Sequence, residues 1–340
     1  MLYPNKISPG DTIGVVSMSS GTAFDYPERF ERGISDLEKK GFKVKIGQNA
    51  RNKKWFTAGT PEERIGDLET MFEDQEVKMI ISSIGGHSAQ QILENLNYDL
   101  IKENPKILVG YSDTTAILNA VSVKTGMVTY LGPAVMPQFG EFGGIDDYSW
   151  NYFRLAFMDQ PTSYLVTDSE EIVDEHLRWG VEDSRRRKTI RNLGSKIFRE
   201  GTAEGEIWGG NMGVLLKLAG TEYFPDLDGK ILLLEDDEVE TPASISGYLT
   251  QYRQMGILKR VKAVLIGRFS KKVGFREEIG VDGPRLGDLL DEAFQGIDFT
   301  VVYNMNFGHV DPIITLPIGG MGKITASKNG KVIFEIKRGI

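Results

Sequence analysis

From Thr12 to Ser122, short apolar runs alternate with amphipathic helical segments, and this alternation constrains the fold more than any other feature of the chain. Thr12-Ile13-Gly14-Val15-Val16 has the unbroken apolar character of a strand buried on both faces. Pro27 to Lys40 follows with Phe30, Ile34 and Leu37 at helical spacing, and Phe42 to Ile46 is strand-like. Pro61 to Phe72 opens as a helix should, with Thr60 as cap and proline at the first helical position. Val77 to Ile81 reads as a strand running into Gly85-Gly86, Ser88 to Leu96 as a helix, Ile107-Leu108-Val109 as a strand and Thr114 to Ser122 as a helix. Strands and helices at this spacing predict an α/β fold with a mostly parallel sheet covered on both faces.

The pattern changes after residue 165. Asp168 to Gly201 carries a dense mixed-charge run that includes Glu182-Asp183-Ser184-Arg185-Arg186-Arg187-Lys188. Such a run is expected as a solvated connection. Beyond it come a strand at Gly205 to Trp208, a helix from Asn211, a strand at Lys230 to Leu234, a helix from about Ala243, a strand at Ala263 to Ile266, a helix from Arg285 and short strands with glycine turns near the end. The chain thus divides into an N-terminal domain over 1–165, a charged connection over 166–200 and a second, mixed α/β domain over 201–340. At about 150 residues per domain, the length of 340 fits two.

Composition removes several function classes. Lys+Arg 40 against Asp+Glu 48 gives a net charge of −8, which argues against a nucleic-acid partner, since that partner selects a basic face. Cysteine is absent, so disulfides, thiol nucleophiles and cysteine metal sites are excluded. Met1 to Lys6 lacks the basic start and apolar core of a signal peptide, and no apolar run is long enough to span a membrane. A cytoplasmic protein without membrane contact is expected. No dinucleotide or P-loop glycine motif follows any strand, and the three histidines lack metal-ligand spacing, so neither cofactor nor metal is expected.

The remaining nucleophiles are hydroxyls, lysines and carboxylates. Gly110-Tyr111-Ser112-Asp113-Thr114 stands between a strand and a helix, where open α/β sheets handle ligands. Ser112 there is either an exposed nucleophile or a helix cap. A serine hydroxyl needs a base. His309, in the glycine- and proline-framed loop Phe307 to Pro312, is one candidate, and His87, just after Gly85-Gly86, is another. Glu235, directly after the apolar run Ile231 to Leu234, is placed by packing to orient an imidazole. The Gly85-Gly86 turn, where the chain can approach a substrate closely, is a candidate for one backbone N–H of an oxyanion hole or an ordinary βα turn, and Asp113 is a candidate for the other N–H. Two other classes fit the same residues: a binding protein that holds a small ligand between two domains, and a phosphate enzyme that uses the Ser17-Met18-Ser19-Ser20-Gly21 loop.

Taken together and in order, Pro9-Gly10-Asp11, Ile84-Gly85-Gly86, Gly110-Tyr111-Ser112-Asp113, Trp208-Gly209-Gly210-Asn211, Leu234-Glu235-Asp236 and Gly308-His309-Val310-Asp311-Pro312 resemble the LD-carboxypeptidase family of serine peptidases, which includes the microcin C immunity peptidases. The resemblance implies a Ser112–Glu235–His309 triad spread over two domains, with the site at the domain junction. It also implies an oxyanion hole from Gly86 and Asp113, no metal, and a cytoplasmic homodimer. Ile84 before the double glycine and His87 after it depart from the carboxypeptidases proper and are more similar to the immunity branch. That branch stacks a tryptophan of the connecting loop on a nucleobase, which carries over to Trp179, with Arg178 beside it for a phosphate or carboxylate. The structural alternative for Trp179 is to cover apolar surface near the junction. Gly85, His87, Arg178, Trp179 and Asn211 are the expected substrate contacts. The expected substrate is an aminoacyl- or peptidyl-nucleotide, with a murein tetrapeptide as the alternative.

Overall fold

The structure is a computed structural model and describes residues 1–276 and 283–338. The first sheet is built from β1 (Thr12–Val16), β2 (Lys43–Ile46), β3 (Val77–Ser82), β4 (Ile107–Gly110) and β5 (Thr129–Leu131), all parallel in the order β5-β4-β3-β1-β2. Its central strands read as continuous apolar runs because both faces are covered. Ile81 and Val109 join Phe30, Ile34 and Leu37 of helix Pro27–Lys39 in one core. Ile80 and Leu108 join Leu68 and Phe72 of helix Pro61–Glu73 in the other. Burying each of these side chains contributes roughly 1.5–3 kcal/mol over leaving it exposed. The cap expected at Thr60 is a full capping box: Glu63 N–H donates to Thr60 Oγ1 at 3.2 Å, and Thr60 N–H donates to Glu63 Oε2 at 2.7 Å.

Among the described residues, the second sheet has eight strands. In chain order they are β6 (Ser163–Val166), β9 (Lys196–Arg199), β10 (Gly201–Asn211), β11 (Ile231–Glu235), β12 (Ala263–Gly267), β13 (Thr300–Met305), β15 (Met321–Ala326) and β16 (Val332–Lys337). Two short strands, β7 (Glu171–Ile172) and β8 (Ile190–Arg191), pair separately. The long β10 serves two partners: Gly201 to Glu206 runs antiparallel to β15, and Ile207 to Asn211 runs parallel to β11. The halves of the chain also exchange strands. β6 closes one edge of the second sheet, and β14 (Leu316–Ile318) crosses back to pair antiparallel with β5 at the edge of the first. Pro317 is tolerated there because an edge strand has an unpaired side.

Two expectations need correction. Ala89–Asn95, expected as an α-helix, is a 3-10 segment. The Ala89 N–H is held by the Asp113 carboxylate at 2.7 Å and Ser88 by Arg64, so contacts outside the segment fix its entry. The charged run is also not simply solvated. Asp183 binds the buried Arg29 at 2.7 Å and also Arg32, while Arg187 bridges Glu141 and Asp311. These side chains turn inward because the segment lies along an interdomain cleft whose walls carry the opposite charges.

Candidate active site

Strand β4 delivers the chain to Ser112, which sits in the left-handed region at φ 60° before a 3-10 turn leads into helix Thr115–Thr125. A non-glycine residue held there costs about 1–2 kcal/mol, a strain that neighbouring packing must sustain. Gly85 presses on this turn: a Cβ at residue 85 would lie 2.7 Å from Ser112 Cβ and 3.2 Å from the Asp113 nitrogen. Only glycine allows that approach. This strand–turn–helix arrangement presents a hydroxyl at the top of a sheet.

The second sheet supplies the other two groups. Glu235 ends β11 with its side chain fully enclosed, and its Oε2 lies 2.7 Å from His309 Nδ1. Gly308, at φ 102°, lets the loop pass so close that a Cβ there would fall 2.7 Å from Glu235 Oε2. A carboxylate only accepts, so Nδ1–H donates, and whenever the ring is neutral Nε2 is its unprotonated nitrogen. Burial alone would lower the His309 pKa, but Glu235, with Asp237 and Glu238 further off, raises it to about 9. Glu235 Oε1 is buried and has no hydrogen-bond partner among the described residues. Next to it, burial and then the Glu235 charge push the Asp236 carboxyl up to about 7. The Tyr111 ring packs on the imidazole at 5.0 Å between centroids.

Ser112 and His309 line one cleft of about 560 Å³, together with Gly85, Gly86, His87, Tyr26, Arg29, His176 and Trp179. Ser112 Oγ and His309 are not hydrogen-bonded to each other in this structure, and such contacts often tighten only when substrate is bound. Trp179 is partly buried, with the Arg29 guanidinium 4.3 Å from its ring centroid and Tyr26 edge-on at 5.7 Å. Arg29 itself is fixed by Met136 O, Pro137 O and Asp183. Three acidic side chains just after β11, Asp236, Asp237 and Glu240, bring carboxylate oxygens within 4.8 Å of one another. Asp236 already accepts from Asn211 Nδ2, Asp237 N–H and Gly213 N–H.

Residues 13–132 match the model of the LD-carboxypeptidase N-terminal domain, and residues 204–324 match that of the C-terminal domain. YocD of Bacillus subtilis (strain 168) is 36% identical over 325 residues, 96% of each chain. The microcin C7 self-immunity protein MccF of Escherichia coli is 31% identical, over 94% of this chain and 91% of that one. The chain belongs to the LD-carboxypeptidase family of serine peptidases. Among solved structures, an MccF-like protein from Bacillus anthracis superposes with a TM-score of 0.91 at 34% identity, covering both chains fully. MccF in complex with aspartyl sulfamoyl adenosine superposes at 0.90 and 30% identity, over 100% of this chain and 99% of that one. A muramoyltetrapeptide carboxypeptidase from Oxalobacter formigenes superposes at 0.76 and 26% identity, over 96% and 98%.

Within this LD-carboxypeptidase fold, the residues expected from sequence fall in three groups. Ser112, His309, Gly85, Gly86, His87, Arg178 and Trp179 line the cleft. Glu235 and Asp113 stand behind it, each about 1% exposed. Arg178 is largely exposed and paired with Glu182 at 3.2 Å. Asn211 is the exception and does not line the cleft. Its Oδ1 caps helix Met212–Lys217 through Val214 N–H, and its Nδ2 holds Asp236 at 2.7 Å, so its side chain is committed internally. Tyr26, Arg29, His176 and Arg187 were missed. Only Arg29 left a trace, as a charge on the apolar face of its helix, one turn before the buried Gly33 and beside Phe30. Among the described residues, no helix is long and apolar enough to cross a membrane.

Proposed function

We propose that the protein is a serine amidase that cleaves the acyl–nitrogen bond of an aminoacyl- or peptidyl-nucleotide. Ser112 Oγ attacks the carbonyl carbon while His309 Nε2 takes its proton. The tetrahedral oxyanion is received by the backbone N–H groups of Gly86 and Asp113. His309 then gives the proton to the leaving nitrogen as the C–N bond breaks, and a water activated by the same imidazole releases the acyl group. Glu235 holds the ring in the required tautomer and stabilises the imidazolium. The observation that carries this reading is the cleft itself: a strained Ser112, a buried Glu235–His309 pair and an aromatic wall at Trp179 share one enclosure. Trp179, backed by Arg29 and Tyr26, is suited to stack on a nucleobase. The high similarity to MccF, solved with aspartyl sulfamoyl adenosine, supports the same substrate class. On this reading the unit is a cytoplasmic homodimer, its two domains joined by the charged segment over 166–200.

The shared fold with a muramoyltetrapeptide carboxypeptidase favours a second substrate, a murein tetrapeptide losing its terminal D-alanine. Mass spectrometry of both candidates with wild type and Ser112→Ala in parallel separates the readings. Cleavage of aspartyl sulfamoyl adenosine alone, lost in the variant, is expected. Release of D-alanine instead makes the protein a murein carboxypeptidase. Equal cleavage by both forms refutes the nucleophile.

A further inference from the structure

The loop Ser17 to Gly21, which resembles a phosphate cradle in sequence, is committed elsewhere. Ser19 Oγ–H donates to Asp113 Oδ2 at 2.6 Å, and Ser88 N–H donates to Ser19 Oγ at 3.1 Å. The same carboxylate oxygen receives Ala89 N–H at 2.7 Å. Arg64 closes the network from below, donating to Met18 O and Ser88 O at 3.0 Å each and to Ser88 Oγ at 3.2 Å. Ser19, Ser88, Asp113 and Arg64 are all 1% exposed or less. Gly86 is packed against this network, since a Cβ there would lie 2.5 Å from Ser19 Oγ.

One carboxylate therefore ties together three chain segments: the loop after β1, the Gly85–Ala89 turn after β3, and the Ser112–Thr114 turn after β4. Two of those segments carry the two oxyanion donors. We propose that Ser19 and the Asp113 carboxylate are positioning residues that set the spacing between the Gly86 and Asp113 N–H groups, so that the hole is formed before substrate arrives. This inference rests on the reading of Ser112 as nucleophile. It assigns the Asp113 side chain a task separate from that of its own N–H group. Losing an oxyanion donor outright costs about 10²–10³-fold in kcat, and a displaced donor costs part of that.

The test measures kcat and KM of Ser19→Ala on aspartyl sulfamoyl adenosine. It also measures calorimetric affinity for that compound with Ser112→Ala present to prevent turnover. The expected result is kcat lower by about 10–100-fold, with KM and affinity within about twofold, since only the transition state uses the hole. Unchanged kcat, or affinity lost in proportion to kcat, overturns the inference. If Ser19→Ala does not fold, the Asp113 pair decides. Asp113→Asn, whose amide oxygen can still accept from both Ser19 and Ala89, should recover at least about tenfold of what Asp113→Ala loses. An asparagine variant as poor as the alanine one overturns the inference. Wild type that cleaves neither this compound nor a murein tetrapeptide, or Ser112→Ala that cleaves as wild type does, refutes the serine mechanism itself and this inference with it. Activity dependent on Ser112 but indifferent to Ser19 refutes the inference alone.

Discussion

Replacing Glu235 by glutamine tests the acid–base assignment most directly, because it removes a charge while keeping the shape of a fully enclosed side chain. In the native site the carboxylate lies 2.7 Å from His309 Nδ1, and the acidic surroundings lift the histidine from 6.5 to about 9 against the effect of burial. That rise corresponds to roughly 3 kcal/mol in favour of the imidazolium. The same imidazolium forms in the transition state, so its loss lowers the rate by about 10²-fold. A glutamine that turns its amide toward Nδ1 also selects the wrong tautomer, which brings the loss toward about 10⁴-fold. The comparison must cover the whole pH range. On the proposed mechanism the working base is neutral His309, so wild-type kcat/KM should rise with pH and level off only above about 9. At pH 7 roughly 1% of wild-type rings are neutral. In Glu235→Gln, burial acts without its main opponent, and the rising limb should fall below the ordinary 6.5. The deficit therefore looks about a hundredfold smaller at pH 7 than on the plateau. A plateau loss under about tenfold, or a rising limb that stays in place, would refute the role given to Glu235.

Three further outcomes follow from the same geometry. Ser112→Ala and His309→Ala should each lower kcat by about 10⁴-fold or more, and the double variant should be scarcely worse; near-additive losses in steady-state kinetics argue against a concerted unit. Trp179→Ala should weaken binding of an adenosine-containing substrate by about 1–3 kcal/mol, read by calorimetry in the Ser112→Ala background. Unchanged affinity returns Trp179 to a covering role. Asp183→Ala leaves the guanidinium of Arg29, only 3% exposed, without its carboxylate partner at 2.7 Å. A stability loss of about 3 kcal/mol in urea unfolding is expected, together with a higher KM, because Arg29 also backs Trp179. A stable variant with unchanged KM contradicts that link.

Much of the first sheet was legible because strands covered on both faces must be apolar throughout, and because Thr60-Pro61 and similar caps declare where helices start. Ser112 and Glu235 were legible for a related reason: each stands at a strand end, where backbone packing fixes the direction of the next side chain. The walls of the cleft were not legible. Arg29 comes from a helix, His176 and Arg187 from the charged connection, and their meeting depends on how two sheets are set against each other. The capping role of Asn211 was legible as well, since an asparagine between a strand and a helix stands at the N-cap position, and the structure uses it there. The return of Leu316–Ile318 to the first sheet has no local signal. Three residues with a proline fit an edge strand of either sheet equally well.

That returning strand bears on how the site is held together. His309 lies in the loop between β13, in the second sheet, and β14, in the first, so the loop is anchored at both ends in different sheets. Ser112 rises from β4, two places in from β14 in the first sheet. Moving His309 away from Ser112 as a rigid domain motion would therefore break the ladder between β14 and β5, where Leu316 pairs with Leu131 and Ile318 with Thr129. The exchange of β6 into the second sheet adds a ladder that such a motion would also break. Strand ladders thus tie the loop carrying His309 to the sheet that carries Ser112. The connecting segment is held to one half by Asp183 with Arg29, and to the other by His176 with Glu238 at 3.3 Å and by a backbone bridge from Val173 N–H to Asp311 O at 2.6 Å. On the proposed mechanism, the tryptophan suited to stack on a nucleobase and the serine that attacks belong to separate elements, the connecting segment and the turn after β4.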